Sequence, residues 1–255
     1  MICEILGVPE GDREYLYALT NRMFSSTSED REVAIRASIA AANEMRAYAA
    51  QLAMREARGE DLVSDLLDSE IDGRKLSDTE FQAFFVLLFN AGADTTRSLL
   101  CYGLELLLEH RDALAQIQAN PALIPSAVEE MLRYETVVIQ FRRTAIETTQ
   151  LAGVSVSEGD KVVVFFPSAN RDESVFADPD RFDITRTPNH HLAFGHGTHF
   201  CLGAPLARME AAHLFRELSS RLDNFERTAP LVTGRTNFVR SVHHQPISFS
   251  HRERS

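Results

Sequence analysis

Helical spacing of apolar residues dominates the first half of the chain. From Glu29 to Arg58, Ala, Ile, Met and Leu recur among Glu and Arg, and Gly59 stops the run. The pattern predicts a second, short helix over Asp61–Glu70 and a turn at Asp72-Gly73. Ser77 with Glu80 three residues on has the form of a capping box. It opens a helix predicted to run from Asp78 to His110, far longer than average. The centre of that helix, FFVLLFNAGADTT, is apolar on nearly every side and is expected to be buried. Two shorter helices follow, near Asp112–Ala119 and from Pro125-Ser126 to Tyr134.

After Glu135 the period shortens. Phe141–Ile146, Thr149–Val156 and Lys161–Phe166 are rich in Val, Phe and Thr and read as strands, with a turn at Glu158-Gly159-Asp160. Residues 167–200 carry Pro167, Pro179 and Pro188 and read as irregular. A helix is predicted from Gly203 to Ser220, then two short strands between Thr228 and His251. The reading is mainly α with a small β part: a helical part over 1–135, a strand-rich part over 136–255, one compact unit.

Composition narrows the function. The net charge is −11 and the pI about 5.3, which argues against nucleic-acid binding and against a basic membrane-facing surface. No apolar stretch reaches the ~20 residues that span a bilayer, and the N-terminus lacks signal-peptide features. Cys3, Cys101 and Cys201 are odd in number and widely spaced, as expected of a reducing, cytoplasmic setting.

The sharpest local signal is Phe194-Gly195-His196-Gly197-Thr198-His199-Phe200-Cys201-Leu202-Gly203. A sulfur ligand must be ionised, faced by N–H groups and open to approach. Cys201 precedes a predicted helix, whose positive end favours a thiolate. Gly195, Gly197 and Gly203 permit tight turns around it, and Phe194 offers an apolar wall. Two other readings fit these residues. Cys201 could be a small buried apolar side chain beside a turn. His190, His191, His196 and His199 could bind zinc, although a second nearby Cys is missing.

Three further segments stand out. Ala91-Gly92-Ala93-Asp94-Thr95-Thr96 places an acid and an alcohol in an apolar helix, which is costly unless they are used. Gly92 and Thr95 share a face, the missing side chain at Gly92 would leave room for a small ligand, and the Thr95 hydroxyl can bond the carbonyl of Ala91 or Gly92 and open a local kink. A polar notch at a helix contact is the plainer reading. Glu130 and Arg133 lie at i, i+3 and can pair, as surface ions commonly do. Phe141-Arg142-Arg143-Thr144-Ala145 puts Arg143 on a strand, where an exposed edge cation is ordinary.

Together these segments resemble the cytochrome P450 family. FGHGTHFCLG matches its haem-ligand pattern Phe-x-x-Gly-x-His/Arg-x-Cys-x-Gly; AGADTT, Glu130-x-x-Arg133, Pro179-Asp180-Arg181-Phe182 and the Arg143 strand follow in family order. The resemblance implies a P450 fold with a long distal helix over 78–110, short β-sheets, and a Cys-ligand loop before a helix. It implies haem b (iron protoporphyrin IX) on Cys201, bordered by Phe194, Gly195, Gly203 and Gly92, with propionates met by His199 and Arg143. Asp94 and Thr95 would relay protons in oxygen activation, and Glu130, Arg133 and Arg181 would form a buried triad. The implied enzyme is a monooxygenase acting with O2 on an apolar steroid, terpenoid or alkyl chain, with electrons from NAD(P)H through a ferredoxin or flavin-type donor. Family members carry a further N-terminal portion, so a partial haem domain with one flank open is expected. A non-catalytic remnant with weak or no haem binding stands beside that reading.

Overall fold

The computed structural model describes residues 1–24, 30–55, 59–234 and 236–252. Its packing divides into two units, Met1–Arg97 with Gly234–Thr236, and Ser98–Thr233 with Asn237–Ser255. The described residues are mainly helical with short two-stranded sheets, the expected fold class.

The first unit holds α1 (Ile2–Ile5), α2 (Arg13–Phe24), α3 (Arg31–Ala53), α4 (Leu62–Asp68), the hairpin β1 (Glu70–Ile71) and β2 (Arg74–Lys75), and the first part of α5 (Asp78–Glu109). The Asp30 carboxylate caps α3 by accepting from the Glu32 and Val33 N–H groups. The ends expected for that helix, at Glu29 and Arg58, lie outside the described residues. The capping box at α5 is formed: the Glu80 N–H donates to the Ser77 hydroxyl at 3.3 Å and the Ser77 N–H to the Glu80 carboxylate at 2.9 Å. The core is two i, i+4 rows, Ala41, Met45 and Ala49 of α3 and Phe81, Phe85, Phe89 and Ala93 of α5, joined by Leu16 and Leu19 of α2. Burial of the α5 centre is narrower than its composition predicts. The buried face is that row with Asn90 and Asp94 beside it, and Leu87, on another face, is 61% exposed.

The second unit contains the rest of α5, α6 (Arg111–Ala119), α7 (Ile124–Tyr134), β3 (Gln140–Thr144), β4 (Thr149–Leu151), β5 (Val154–Val156), β6 (Lys161–Phe165), α8 (Phe166–Ala169), α9 (Ala204–Arg221), β7 (Leu222–Arg227), β8 (Val232–Thr233), β9 (Val242–His244) and β10 (Ile247–His251). Leu99, Tyr102 and Leu106 of α5 pack with Ile117 of α6, Met131 of α7 and Phe215 of α9. The strands pair antiparallel as β3–β6, β4–β5, β7–β10 and β8–β9. The single strand expected over Thr149–Val156 is a hairpin instead. Ala152 and Gly153 both adopt positive φ, 49° and 81°, which reverses the chain. The strand expected to reach Ile146 ends at Thr144, and the tail pairing begins earlier than expected, at Leu222. Among the described residues, no helix is long and apolar enough to cross a membrane.

Candidate functional site

In the second unit, the chain from Leu192 to Gly203 folds back so that the Cys201 N–H donates to the Phe194 carbonyl at 2.9 Å. Two tighter bonds shape the bend: Gly195 N–H to Leu192 O and Phe200 N–H to Gly197 O, each 2.9 Å. Gly195 and Gly197 take φ of 72° and 70°, where any side chain would be strained. The Cys201 carbonyl then accepts from the Ala204 N–H at 3.3 Å, which places the thiol at the opening turn of the 18-residue α9. Cys201 carries no disulfide and is exposed, which removes the buried-apolar reading. A side chain at Gly203 would begin 4.0 Å from the Cys201 Sγ. His199 is exposed beside it, as are the apolar Phe200 and Leu202.

A buried ionic cluster anchors the segment leading into this loop. Glu130 and Arg133 of α7 are fully buried and form a two-pronged pair, Nε to Oε2 and Nη2 to Oε1, both 2.8 Å. The third member is Arg186, not the expected Arg181. Arg186 Nε donates to the Glu130 carboxylate at 3.2 Å, whereas Arg181 is exposed and gives only its backbone carbonyl to Arg133 and Arg186. The cause is local: Phe182 and Ile184 bury in the core, and the Arg181 side chain stays outside.

A second cluster was not anticipated. Arg208 of α9 donates to both oxygens of Glu129 at 2.7 and 2.9 Å, and His191 Nε2 meets the same carboxylate at 3.1 Å. The His191 Nδ1 accepts the Ala193 N–H at 3.2 Å. With both nitrogens engaged, His191 is unavailable for zinc. Among the described residues, no three His, Cys, Asp or Glu side chains gather as a metal set. The Arg208 guanidinium also lies 4.5 Å from the Phe194 ring centroid. The sequence signal was slight: a second Glu beside Glu130, and a His three residues before Phe194.

Burial opposes charge on Glu129, but His191 and Arg208 outweigh it and hold its pKa down to about 2. A depressed carboxyl pKa stabilises the fold above the ordinary value of 4.5, and the gain is lost as the pH falls toward 2. Glu129→Gln should therefore flatten acid unfolding in that window. Superimposable wild-type and variant acid curves would contradict this.

Arg143 stands on exposed β3 opposite Val162, its guanidinium 5.9 Å from the Phe141 ring centroid and bonded at 3.1 Å to the Arg142 carbonyl. Gly92, Asp94 and Thr95 belong to the first unit. The space left by Gly92 is not open as expected: a Cβ there would meet the Ile2 side chain at 3.0 Å, so this glycine admits α1. Asp94 is buried and paired with Arg97 at 2.5 Å, and Arg97 also donates to Asn21 at 2.9 Å. The Thr95 hydroxyl donates to the Ala91 carbonyl at 2.5 Å, as expected, while α5 remains α-helical through it.

Comparison with known proteins bears on the whole arrangement. A sequence model of the family described as cytochrome P450 matches residues 16–246. Cytochrome P450 126 of Mycobacterium tuberculosis is 40% identical over 96% of this chain and 60% of its own length. The methyl-branched lipid omega-hydroxylase of the same organism is 35% identical over 98% of this chain and 59% of its own. The structure of P450BioI in complex with an acyl carrier protein ligated by hexadec-9Z-enoic acid superimposes with a TM-score of 0.89 at 35% identity, covering 98% of this chain and 65% of that one. The chain thus spans about 60% of the length of the curated relatives it matches.

Proposed function

This chain belongs to the cytochrome P450 family, and we propose that it is the part of a haem-thiolate monooxygenase that carries the iron ligand. The observation that carries the reading is Cys201: an exposed thiol on a glycine bend, at the mouth of a helix, closed by its own N–H to Phe194. The donor set fits haem b. A soft sulfur is open to a metal, His199 and Arg143 are exposed hydrogen-bond donors suited to propionates, and Phe141, Phe200 and Leu202 offer apolar contact to a porphyrin. When bound, haem supplies the activation of O2, one atom entering the substrate and the other leaving as water, at a cost of two electrons and two protons. The substrate we propose is an apolar alkyl chain, steroid or terpenoid; one relative is named a methyl-branched lipid omega-hydroxylase and another a steroid C26-monooxygenase. Electrons would come from NAD(P)H through a separate ferredoxin or flavin-type donor in the cytoplasm, a setting consistent with three widely spaced cysteines.

Cys201 would hold the metal, with Phe194 shielding the sulfur and Gly195 and Gly203 keeping its approach clear, and His199 and Arg143 would hold the macrocycle edge. Gly92 lets α1 pack on α5. The proposed proton handling falls to Asp94 and Thr95. Because the Thr95 hydrogen is committed to the Ala91 carbonyl, its oxygen presents lone pairs and acts as an acceptor that steadies a proton donor. Asp94 is the nearby acid, held by Arg97. Thr95→Ala should lower product formed per O2 consumed by about tenfold, and Thr95→Ser should restore it. Full coupling in the alanine variant would remove Thr95 from the relay. The reading as a whole is tested by loading the chain with hemin, reducing it and adding carbon monoxide. A thiolate-type Soret band supports it; a colourless, folded chain overturns it.

A further inference from the structure

The Glu129–His191–Arg208 cluster lies on the helical side of the ligand loop and reaches it twice. His191 fixes the Ala193 N–H at 3.2 Å on one side, and Arg208 covers the Phe194 ring at 4.5 Å on the other. Phe194 in turn supplies the carbonyl that holds the Cys201 N–H at 2.9 Å. The path from Glu129 to the cysteine backbone is therefore short and continuous, through groups that each have a direction. Glu129 and Arg208 form the ion pair of the cluster, and His191 is bonded to the same carboxylate. We propose that Glu129, His191 and Arg208 are positioning residues that clamp the ligand loop and seat the Glu129–Arg208 ion pair against it.

The alternative is that the cluster is merely one more ion pair on the surface of the unit. Its partial burial argues against this: the Glu129 side chain is 29% exposed, that of Arg208 36% and that of His191 2%. The Arg208 contact is two-pronged, a geometry that lysine cannot reproduce. Arg208 is raised above its ordinary pKa, first by its Glu129 hydrogen bonds.

The proposal rests on Cys201 as the iron ligand, and its test has two independent arms. The first needs no haem. Backbone hydrogen exchange over residues 192–203 of the chain as it stands should quicken about tenfold in Glu129→Gln and in Arg208→Ala. Arg208→Lys should quicken it too, because the fork and the ring contact are lost although the charge is kept. Unchanged exchange in all three variants would overturn the clamp. The second arm measures the midpoint potential of the hemin-loaded chain. Glu129→Gln leaves an unbalanced cation near the sulfur and should shift the potential upward. Arg208→Ala leaves an unbalanced anion and should shift it downward, while Arg208→Lys should stay near wild type. Shifts of the same sign in the first two variants would mean that the cluster acts only through loop disorder, which overturns the electrostatic half. If wild type takes up no more hemin than Cys201→Ser, the haem reading itself fails, and the exchange arm still decides whether the cluster holds the loop.

Discussion

Cys201→Ser is expected to abolish the thiolate-type spectrum of the hemin-loaded, reduced, carbon monoxide-bound chain, while leaving the fold intact. The substitution changes one exposed atom. Its backbone N–H still donates to the Phe194 carbonyl, and the bend still rests on Gly195 and Gly197. The far-ultraviolet dichroism and melting temperature should therefore match wild type, within the about ±0.5 kcal/mol usual for surface changes. What is lost is the soft, ionisable donor, because an alcohol does not ionise near neutral pH and is a poor ligand for this iron chemistry. No other cysteine can take its place. Cys3 is 2% exposed in the first-unit core, and Cys101 lies on α5. A variant that kept the band would place the ligand elsewhere, and with it the whole site.

The sequence marked this loop because its signal is local: glycines, a cysteine and a following helix within one short run. The longer helices from α3 onward were legible for the same reason, since spacing, a capping box and a stop signal act over a few residues, whereas α1, α2 and the one-turn α8 were not singled out. What escaped depends on the third dimension. Arg181 sits in a recognisable four-residue motif, yet the ion cluster takes Arg186, because neighbouring apolar side chains decide which way an irregular segment faces. The β4–β5 turn was read through because Ala152 looks like a strand residue until its φ is known. The strand β7, LDNFER, buries chiefly Phe225 and has too little apolar alternation to announce itself. Glu129, His191 and Arg208 are separated by 62 and 79 positions, beyond any local pattern. Gly92 was read as open space because the side chain that fills it, Ile2, is distant in sequence.

Arg133→Ala is expected to have the largest effect on stability of any single change in the second unit. All five N–H groups of this guanidinium are used. Nε and one Nη2 hydrogen reach the Glu130 carboxylate, Nη1 donates to the Asn170 and Pro179 carbonyls at 2.9 and 2.7 Å, and Nη2 also donates to the Arg181 carbonyl at 3.1 Å. Both Arg133 and Glu130 are 0% exposed. Truncation therefore leaves a buried carboxylate with only Arg186, Asn189 and the Asp183 N–H, and leaves three loop carbonyls short of donors. Breaking a buried pair in this way costs about 3–5 kcal/mol, a large part of the about 5–15 kcal/mol that holds a domain together. Arg133→Lys keeps the charge but has three donors for five acceptors, and should cost about 1–3 kcal/mol. Urea unfolding midpoints check the order wild type, lysine, alanine; a lysine variant as stable as wild type would show that charge alone matters there. The effect should also reach the ligand loop. Asn189 bonds Glu130 at 3.1 Å, and the Asn170 side chain accepts the Leu192 N–H at 2.7 Å, so the cluster fixes both the chain entering the loop and the loop's first residue. Hemin uptake should accordingly fall together with stability in the Arg133 variants, whereas in Cys201→Ser the spectrum should be lost with stability unchanged. That contrast separates the residues that build the site from the one that binds in it.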